Sequence, residues 1–378
     1  MRLLAALAVA CALISCSNLS SSSGSSSAAR TGTPTGSGNA AASKAADLRT
    51  ELDLLLGEQV MLVAKQSAAA VNHSEEYTGY TTLLTINDND LRDLMGSAFG
   101  DTAATQLWQS WGVENSYLVD YAIGVVTHNQ AKSNGAMSGL ENGFVPQFAA
   151  LITSLTQLPQ DTISQLMGQQ VLADKAVIDD QAAQKPGSTY PDLHAAFTQS
   201  ARLGDALALR IAQKFPDKFP GDPSLPAVDR RVSLNTLLEE HAYLATMTTD
   251  AIVRGDNTER GAATTALVAN ANSLSTAFSK QFGNAAGIEF DSLWAMRMAT
   301  LVGYAQTGDV ALAKTLTETF GPAFAKLARV ALAPVVDQVQ ATLRVIDDQR
   351  GKSVTPLAGD DRAAATAMQP IADASVEG

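Results

Sequence analysis

An internal repeat constrains this chain more than any other feature of its sequence. Identical residues recur 183 positions apart, in the pairs Asn87 and Asn270, Leu91 and Leu274, Trp111 and Trp294, and Tyr121 and Tyr304. Further along, the five residues at 177–181 return unchanged at 345–349. Chance can supply one such match but not a series in constant order, so we infer two copies of one folding unit.

The spacing of apolar residues within each copy is helical. Leu107, Trp111, Leu118 and Tyr121 are separated by four, seven and three residues, which places them on one face of a helix. No sustained alternation of Val, Ile, Thr and Tyr indicates a strand. The sequence therefore predicts an all-α fold, a tandem-duplicated antiparallel helical bundle.

Composition divides the rest of the chain. We expect the first copy, with one extra amphipathic helix, at residues 46–225 and the second copy at 226–351. No counterpart of the extra helix is visible after Gln349, so the second copy is expected to be truncated. The polar, acidic stretch 352–378 with its two prolines is predicted to be a disordered tail.

The amino terminus is typical of an exported protein. Arg2 precedes an apolar run that is too short to span a bilayer, as in a signal peptide at residues 1–15. The run ends in Leu13-Ile14-Ser15-Cys16, which resembles the lipobox of bacterial lipoproteins and implies lipid on Cys16. Cys11 lacks the preceding leucine. The alternative is a plain secretory peptide in which both cysteines are incidental.

Composition and charge predict where the folded part lies and disfavour one class of partner. Residues 16–45 are rich in Ser, Gly and Ala and predict a disordered stalk after the lipidated cysteine. The folded part would then lie in the cell envelope, outside the cytoplasm, held at the membrane by lipid. A formal net charge of −12 disfavours nucleic acid as a partner.

Residues 50–350 resemble a family of uncharacterised secreted or lipid-anchored helical-repeat proteins of bacteria, some of whose names mention copper. The motifs that carry the resemblance are Leu237-Leu238-Glu239-Glu240-His241, Phe99-Gly100, Val119-Asp120-Tyr121 and Phe215-Pro216-Asp217-Lys218-Phe219. The resemblance implies a histidine in several helices of each copy. This chain departs from that pattern, with Gln59, Trp111 and Gln170 in the first copy and Trp294 and Gln338 in the second.

Only His241 remains of those histidines, and it follows Glu240 on the first helix of the second copy. A carboxylate beside a histidine can orient it or bind the same ion, so His241 and Glu240 are the candidate ligands for copper or zinc. The alternative is an ordinary interior histidine. His73, His128 and His194 have no mutual spacing and are expected to face solvent.

Glu114 and Arg297 occupy equivalent inward positions in the two copies. One hypothesis pairs them across a pseudo-twofold axis, because a buried charge needs a partner. The alternative places each at the wet edge of its apolar stripe.

Motifs that would indicate an enzyme are absent from the sequence, including a nucleophile elbow, a phosphate loop and a dinucleotide fingerprint. We therefore predict a non-catalytic bundle without a required cofactor that binds an unknown protein or small molecule between its copies. The candidate residues along that seam are Trp111, Trp294, Tyr121, Tyr304, Gln59, Gln170 and Gln338. A metal-buffering protein centred on His241 is the alternative.

Overall fold

The computed structural model describes residues 40–377, and every regular element in that range is helical. The first copy comprises α1 Lys44–Val71, α2 Tyr77–Phe99, α3 Asp101–Val126, α4 Gln130–Gly139, α5 Val145–Thr156, α6 Gln160–Ala182 and α7 Pro186–Lys214. The second comprises α8 Pro226–Arg254, α9 Asn257–Phe282, α10 Asn284–Thr307, α11 Val310–Lys314, α12 Gly321–Ala328, α13 Leu332–Gly351, α14 Val354–Thr366 and α15 Gln369–Glu377. The all-α prediction is confirmed.

The two copies share local details as well as helix order. The junctions α2–α3 and α9–α10 are made by Gly100 and Gly283, whose φ angles of 87° and 95° favour glycine. A π-helical turn lies between α4 and α5, at Leu140–Phe144, and another between α11 and α12, at Thr315–Phe320. Consecutive long helices lie against each other, as α1 does with α2, α6 with α7, and α8 with α9.

Both copies belong to one compact unit, because each contributes a helix to the other. Helices α1 and α8 lie against each other at the centre. Helix α7 packs on α1 and α6 and also crosses to α9, while α14 packs on α8 and α13 and also crosses to α2. The crossing helices bury Tyr190 and Phe197 in the second core and Ala358 in the first.

The prediction of a disordered tail at 352–378 is wrong. The two helices α14 and α15 pack on α8 and together occupy the place that α7 has on α1, so the second copy is not truncated either. Leu357, Ala364 and Ile371 are among the residues that the tail buries. The physical reason is that a few apolar side chains on one face are enough to hold a helix against its neighbours. The overall composition of this stretch is polar and does not show that face.

The end of the predicted stalk also needs correction. Residues 40–42 form a short 3-10 helix, α1 begins at Lys44 with Ser43 as its N-cap, and Ala41 and Ala45 are buried. The folded part therefore starts before residue 46. The signal peptide at 1–15, Cys16 and the remainder of the stalk lie outside the described residues. Among the helices of residues 40–377, none is long and apolar enough to cross a membrane.

Candidate functional site

The interior of the first copy contains a small cavity that is lined by both apolar and polar side chains. Its volume is about 20 Å³, enough for one water-sized particle. Gln59 on α1, Trp111 and Glu114 on α3, and Gln170 and Asp174 on α6 line it. Three residues predicted for the seam, Trp111, Gln59 and Gln170, therefore meet, but they do so within one copy.

The carboxyl groups around this cavity are buried without a basic partner among its described lining residues. Gln59 Nε2 lies 3.5 Å from Glu114 Oε2, and Asn115 donates to both carboxylate oxygens of Asp88 at 3.0 Å. Burial raises the pKa of Glu114 well above its usual value, raises that of Asp174 to about 7 and that of Asp88 to about 6.

The equivalent place in the second copy is filled by His241 and Arg297. His241 Nε2 accepts hydrogen bonds from Trp294 Nε1 at 3.0 Å and from Arg297 Nη1 at 3.1 Å. Because Nε2 is the acceptor, Nδ1 carries the proton and donates to Asn270 Oδ1 at 2.9 Å. Burial, together with the Arg297 charge, holds the pKa of His241 well below its usual value, so the ring is neutral.

This geometry does not support a metal ion on His241 and Glu240. Both ring nitrogens of His241 are engaged, and a guanidinium stands where an ion on Nε2 would have to bind. Glu240 turns the other way, to Asn270 and His194. Within residues 40–377, no group of three or more His, Cys, Asp or Glu side chains is placed to hold a metal ion.

Glu114 and Arg297 do not form the pair that we considered, nor does either lie at a wet edge. Each is 1% exposed and sits inside its own copy. Arg297 also donates to Gln338 Oε1 at 3.2 Å, and its guanidinium lies 5.1 Å from the centre of the Trp294 ring. Burial lowers the pKa of Arg297 to about 10.

The predicted aromatic seam between the copies is wrong. Trp111 packs edge-on against Phe148 in the first core, and Trp294 stacks on Phe290 in the second. The two tyrosines anchor helices within each copy: Tyr121 donates to Asp179 at 2.6 Å and Tyr304 to Asp347 at 2.7 Å. Aromatic residues at helical spacing mark the core here.

Charged side chains also join the two copies, beside the apolar contact between α1 and α8. Arg362 on α14 donates to both carboxylate oxygens of Glu58 on α1, at 2.7 and 2.8 Å, and to Asp90 on α2 at 2.6 Å. Glu58 also accepts from Asn87 at 2.8 Å and from Tyr243 of the second copy at 3.2 Å. The glutamate is 5% exposed, so the polar interface is buried.

The same arrangement recurs at the equivalent glutamate of the second copy. Glu240 accepts from Asn270 at 2.9 Å, as Glu58 does from Asn87, and its other oxygen lies 2.7 Å from His194 Nδ1 on α7. His194 thus stands where Arg362 stands, and this hydrogen bond raises its pKa. His73, His128 and His194 are all exposed, as expected, but His194 is also an interface residue.

A cleft of about 560 Å³ opens beside the Glu58–Arg362 contact, a size typical of small-molecule sites. It lies between α1 and α2 of the first copy and α8, α14 and α15 of the second. Its walls carry six acidic side chains and two basic ones. The acidic residues are Asp47, Glu51, Glu58, Asp90, Asp93 and Glu239, and the apolar ones include Leu54, Leu55, Leu94, Phe219 and Met368.

Two of these carboxyl groups are poorly compensated. Glu239 is 7% exposed, and its Oε2 atom has no hydrogen-bond partner in the described part of the chain. Burial, with the charges of Glu58 and Glu240, raises its pKa well above the usual value. Burial and the neighbouring Asp47 and Asp90 likewise raise the pKa of Glu51. Neither Glu239 nor Glu51 forms an ion pair within the described residues, whereas the other four acidic side chains of the cleft each contact an arginine.

The second copy provides an internal comparison. The equivalent groove on α8 and α9 has about 530 Å³, but its walls carry one acidic side chain, Asp229, against the two basic ones Arg230 and Lys280. Ser233, Ser273 and Thr276 stand there in place of Glu51, Asp90 and Asp93. The acidity is specific to the first groove and does not follow from the fold.

Sequence reasoning missed Glu58, Glu239 and Arg362. One signal was present, because Glu58 and Glu240 fall at equivalent positions of the repeated block and each precedes a polar residue assigned to the interior. Nothing marked Arg362, which lies in the stretch read as a tail. In comparisons with family models, curated proteins and solved structures, no match to this chain was found.

Proposed function

We propose that this chain is a non-catalytic binding protein of the cell envelope, held at the membrane by lipid on Cys16. Its helical body takes a small organic cation, an aliphatic amine, in the acidic cleft between the two copies. The observation that carries the proposal is Glu239, which lines the cleft and whose buried Oε2 atom has no hydrogen-bond partner in the described part of the chain.

An amine satisfies this site in three ways. An ammonium group donates hydrogen bonds to carboxylate oxygens, which answers the unpartnered oxygen of Glu239. Its charge offsets the excess of acidic residues in the walls. Its methylene chain can lie on Leu54, Leu94 and Met368. An anion or a neutral sugar would bring no positive charge to Glu51 and Glu239, for which no ion pair is formed in the described part of the chain.

The contacts of His241 favour this reading over a metal buffer, because the histidine has no free nitrogen to offer. The anchor on Cys16 and the envelope location rest on the sequence of the amino terminus. A ligand-binding body held at a membrane by lipid suits a protein that captures small molecules near that surface.

Isothermal titration of the full chain in mild detergent with spermidine, a linear aliphatic amine, tests the proposal. We expect saturable binding that weakens about tenfold or more in Glu239→Gln, the size of effect that losing a charge-assisted contact produces. Binding should also weaken as salt is added. Glu289→Gln, which removes an exposed acidic residue elsewhere, is the charge-matched control and should bind as the wild type does.

Either of two results contradicts the proposal: no saturable heat in the wild type, or equal affinity in Glu239→Gln and the wild type. Stoichiometric zinc or copper that is lost on His241→Ala would support the metal alternative instead.

A further inference from the structure

A buried carboxyl group lies between α1 and α7, away from the cavity and the cleft described above. Asp53 on α1 is 1% exposed, and neither of its carboxyl oxygens has a hydrogen-bond partner in the described part of the chain. Its Oδ1 atom lies against Gly204 of α7, where a Cβ atom would overlap it. A carboxylate buried without donors is costly, so this position disfavours the ionised form of Asp53.

The charged groups that act on Asp53 are Asp205 on α7 and Arg49 on α1. Arg49 donates to Asp205 and to Asp229 on α8, each at 2.5 Å, and makes no hydrogen bond to Asp53. Burial and the charge of Asp205 raise the pKa of Asp53 well above its usual value, against the opposing charge of Arg49. Asp53 is therefore a buried acid that faces a second carboxyl group across the α1–α7 contact.

The second copy shows which hydrogen bond is made at this position. Each of the three side chains has a counterpart there, namely Asn235, Arg231 and Asp373 in place of Asp53, Arg49 and Asp205. The first two pairs are 182 positions apart and the third 168, which is also the spacing of the block repeated at 177–181 and 345–349. Arg231 donates to Asp373 Oδ1 at 2.8 Å, and Asn235 Nδ2 donates to the same oxygen at 2.8 Å. An aspartic acid reproduces the bond of Asn235 only when it carries a proton, because a carboxylate has no donor.

We propose that Asp53 is a pH-sensitive latch, which at neutral pH carries a proton, donates a hydrogen bond to Asp205 and so holds α7 against α1. When Asp53 ionises, the proton passes to solvent, the donor is lost and two carboxylates face each other. The side chain of Asp205 is 45% exposed, so the proton has a route to water. The amide of Asn235 does not titrate, and the latch is confined to the first copy.

Helix α7 is the element that this latch controls, and it reaches both copies. It buries Tyr190 and Phe197 in the second core, and its His194 contacts Glu240 of α8. Loosening α7 from α1 therefore weakens a contact between the copies as well as one within the first copy. The latch makes that contact depend on the pH around the protein.

Urea unfolding of the full chain between pH 5 and pH 7 tests the latch in Asp53→Asn, which installs the amide of the second copy. Because the folded chain keeps a proton on Asp53 that the unfolded chain releases, the stability that Asp53 contributes falls as pH rises. The unfolding equilibrium constant of the wild type, divided by that of Asp53→Asn, should rise about tenfold for each pH unit. Asp291→Asn, at an exposed position of α10, is the matched control and should keep the wild-type profile.

Hydrogen exchange of α7, measured by mass spectrometry at pH 9, tests whether that helix is what loosens. The amides of α7 should exchange faster in the wild type than in Asp53→Asn, while those of α10 exchange alike. Asp205→Asn covers the case in which Asp53→Asn fails to fold, since an amide there offers a donor to ionised Asp53 and should also reduce the pH dependence. Parallel stability profiles in the wild type and the variants, or equal exchange of α7 at pH 9, would overturn the proposal.

Discussion

Replacing Arg362 by methionine tests whether the two copies are joined by a buried ion pair. The guanidinium makes two hydrogen bonds to Glu58 and one to Asp90, and its side chain is 21% exposed. Its loss leaves the Glu58 carboxylate, which is 5% exposed, with only Asn87 and Tyr243 as partners. Removing one member of a buried pair lowers the free energy of unfolding by about 3–5 kcal/mol. Because water has partial access to Arg362, we expect a loss of about 3 kcal/mol.

The measurement is urea unfolding of the full chain, followed by far-ultraviolet circular dichroism. Arg344→Met on α13 is the matched control, since Arg344 is 53% exposed and lies 3.5 Å from Asp360, a pair worth about 0–1 kcal/mol. The double variant Glu58→Gln, Arg362→Met should recover much of the loss, because neither charge then remains buried alone. A loss below about 1 kcal/mol in Arg362→Met, or strictly additive losses in the double variant, would refute the reasoning.

Three further predictions concern the tail, the buried acids and the anchor. A chain ending at Ser353 should lose cooperative unfolding, measured by the same assay, because it lacks the residues of α14 and α15 that cover α8; a disordered tail would leave the transition unchanged. In the presence of EDTA, the free energy of unfolding should fall as pH rises from about 4 to 7, because folded Asp174 and Asp88, with pKa values of about 7 and about 6, keep protons that the unfolded chain has released. In Asp174→Asn, the fall in the free energy of unfolding over this pH range should be smaller by about 4 kcal/mol. An equally large fall in the variant would contradict this prediction. Cys16→Ser should move the protein from the membrane to the soluble fraction of cells, whereas a plain secretory peptide would leave the distribution unaltered.

The repeat predicted the frame of the molecule well because it records interactions that each copy makes within itself. Asn87 and Asn270 both donate to the carbonyl oxygen of the residue three positions before their glutamate partner. The glycines at the α2–α3 and α9–α10 junctions, Gly100 and Gly283, also recur 183 positions apart, and both adopt the positive φ angles that favour glycine. Identity between the copies was therefore a reliable guide to local geometry.

Contacts between the copies could not be predicted in this way. The residues that face Glu58 and Glu240 are Arg362 and His194, which differ from each other and lie outside the matching segments. The helices that carry them are also unlike in form, since α7 is continuous and its counterpart is broken into α14 and α15. A search for identical residues does not detect positions where the two copies make equivalent contacts with different side chains.

The two copies also differ in the charged residues of their interiors, and identity between the copies could not predict this difference either. Helical periodicity correctly turned Glu114 and Arg297 inward, but it carries no information on which charges share an interior. Arg297 is accommodated by a neutral histidine, an amide and two aromatic rings, so the second copy needs nothing from outside. Glu114 has only an amide at 3.5 Å and a second acid nearby, and burial with the charge of that acid raises its pKa well above the usual value. The duplicated frame thus has one interior whose buried charge meets partners of its own copy and one whose buried carboxyl groups have no basic side chain among the described lining residues.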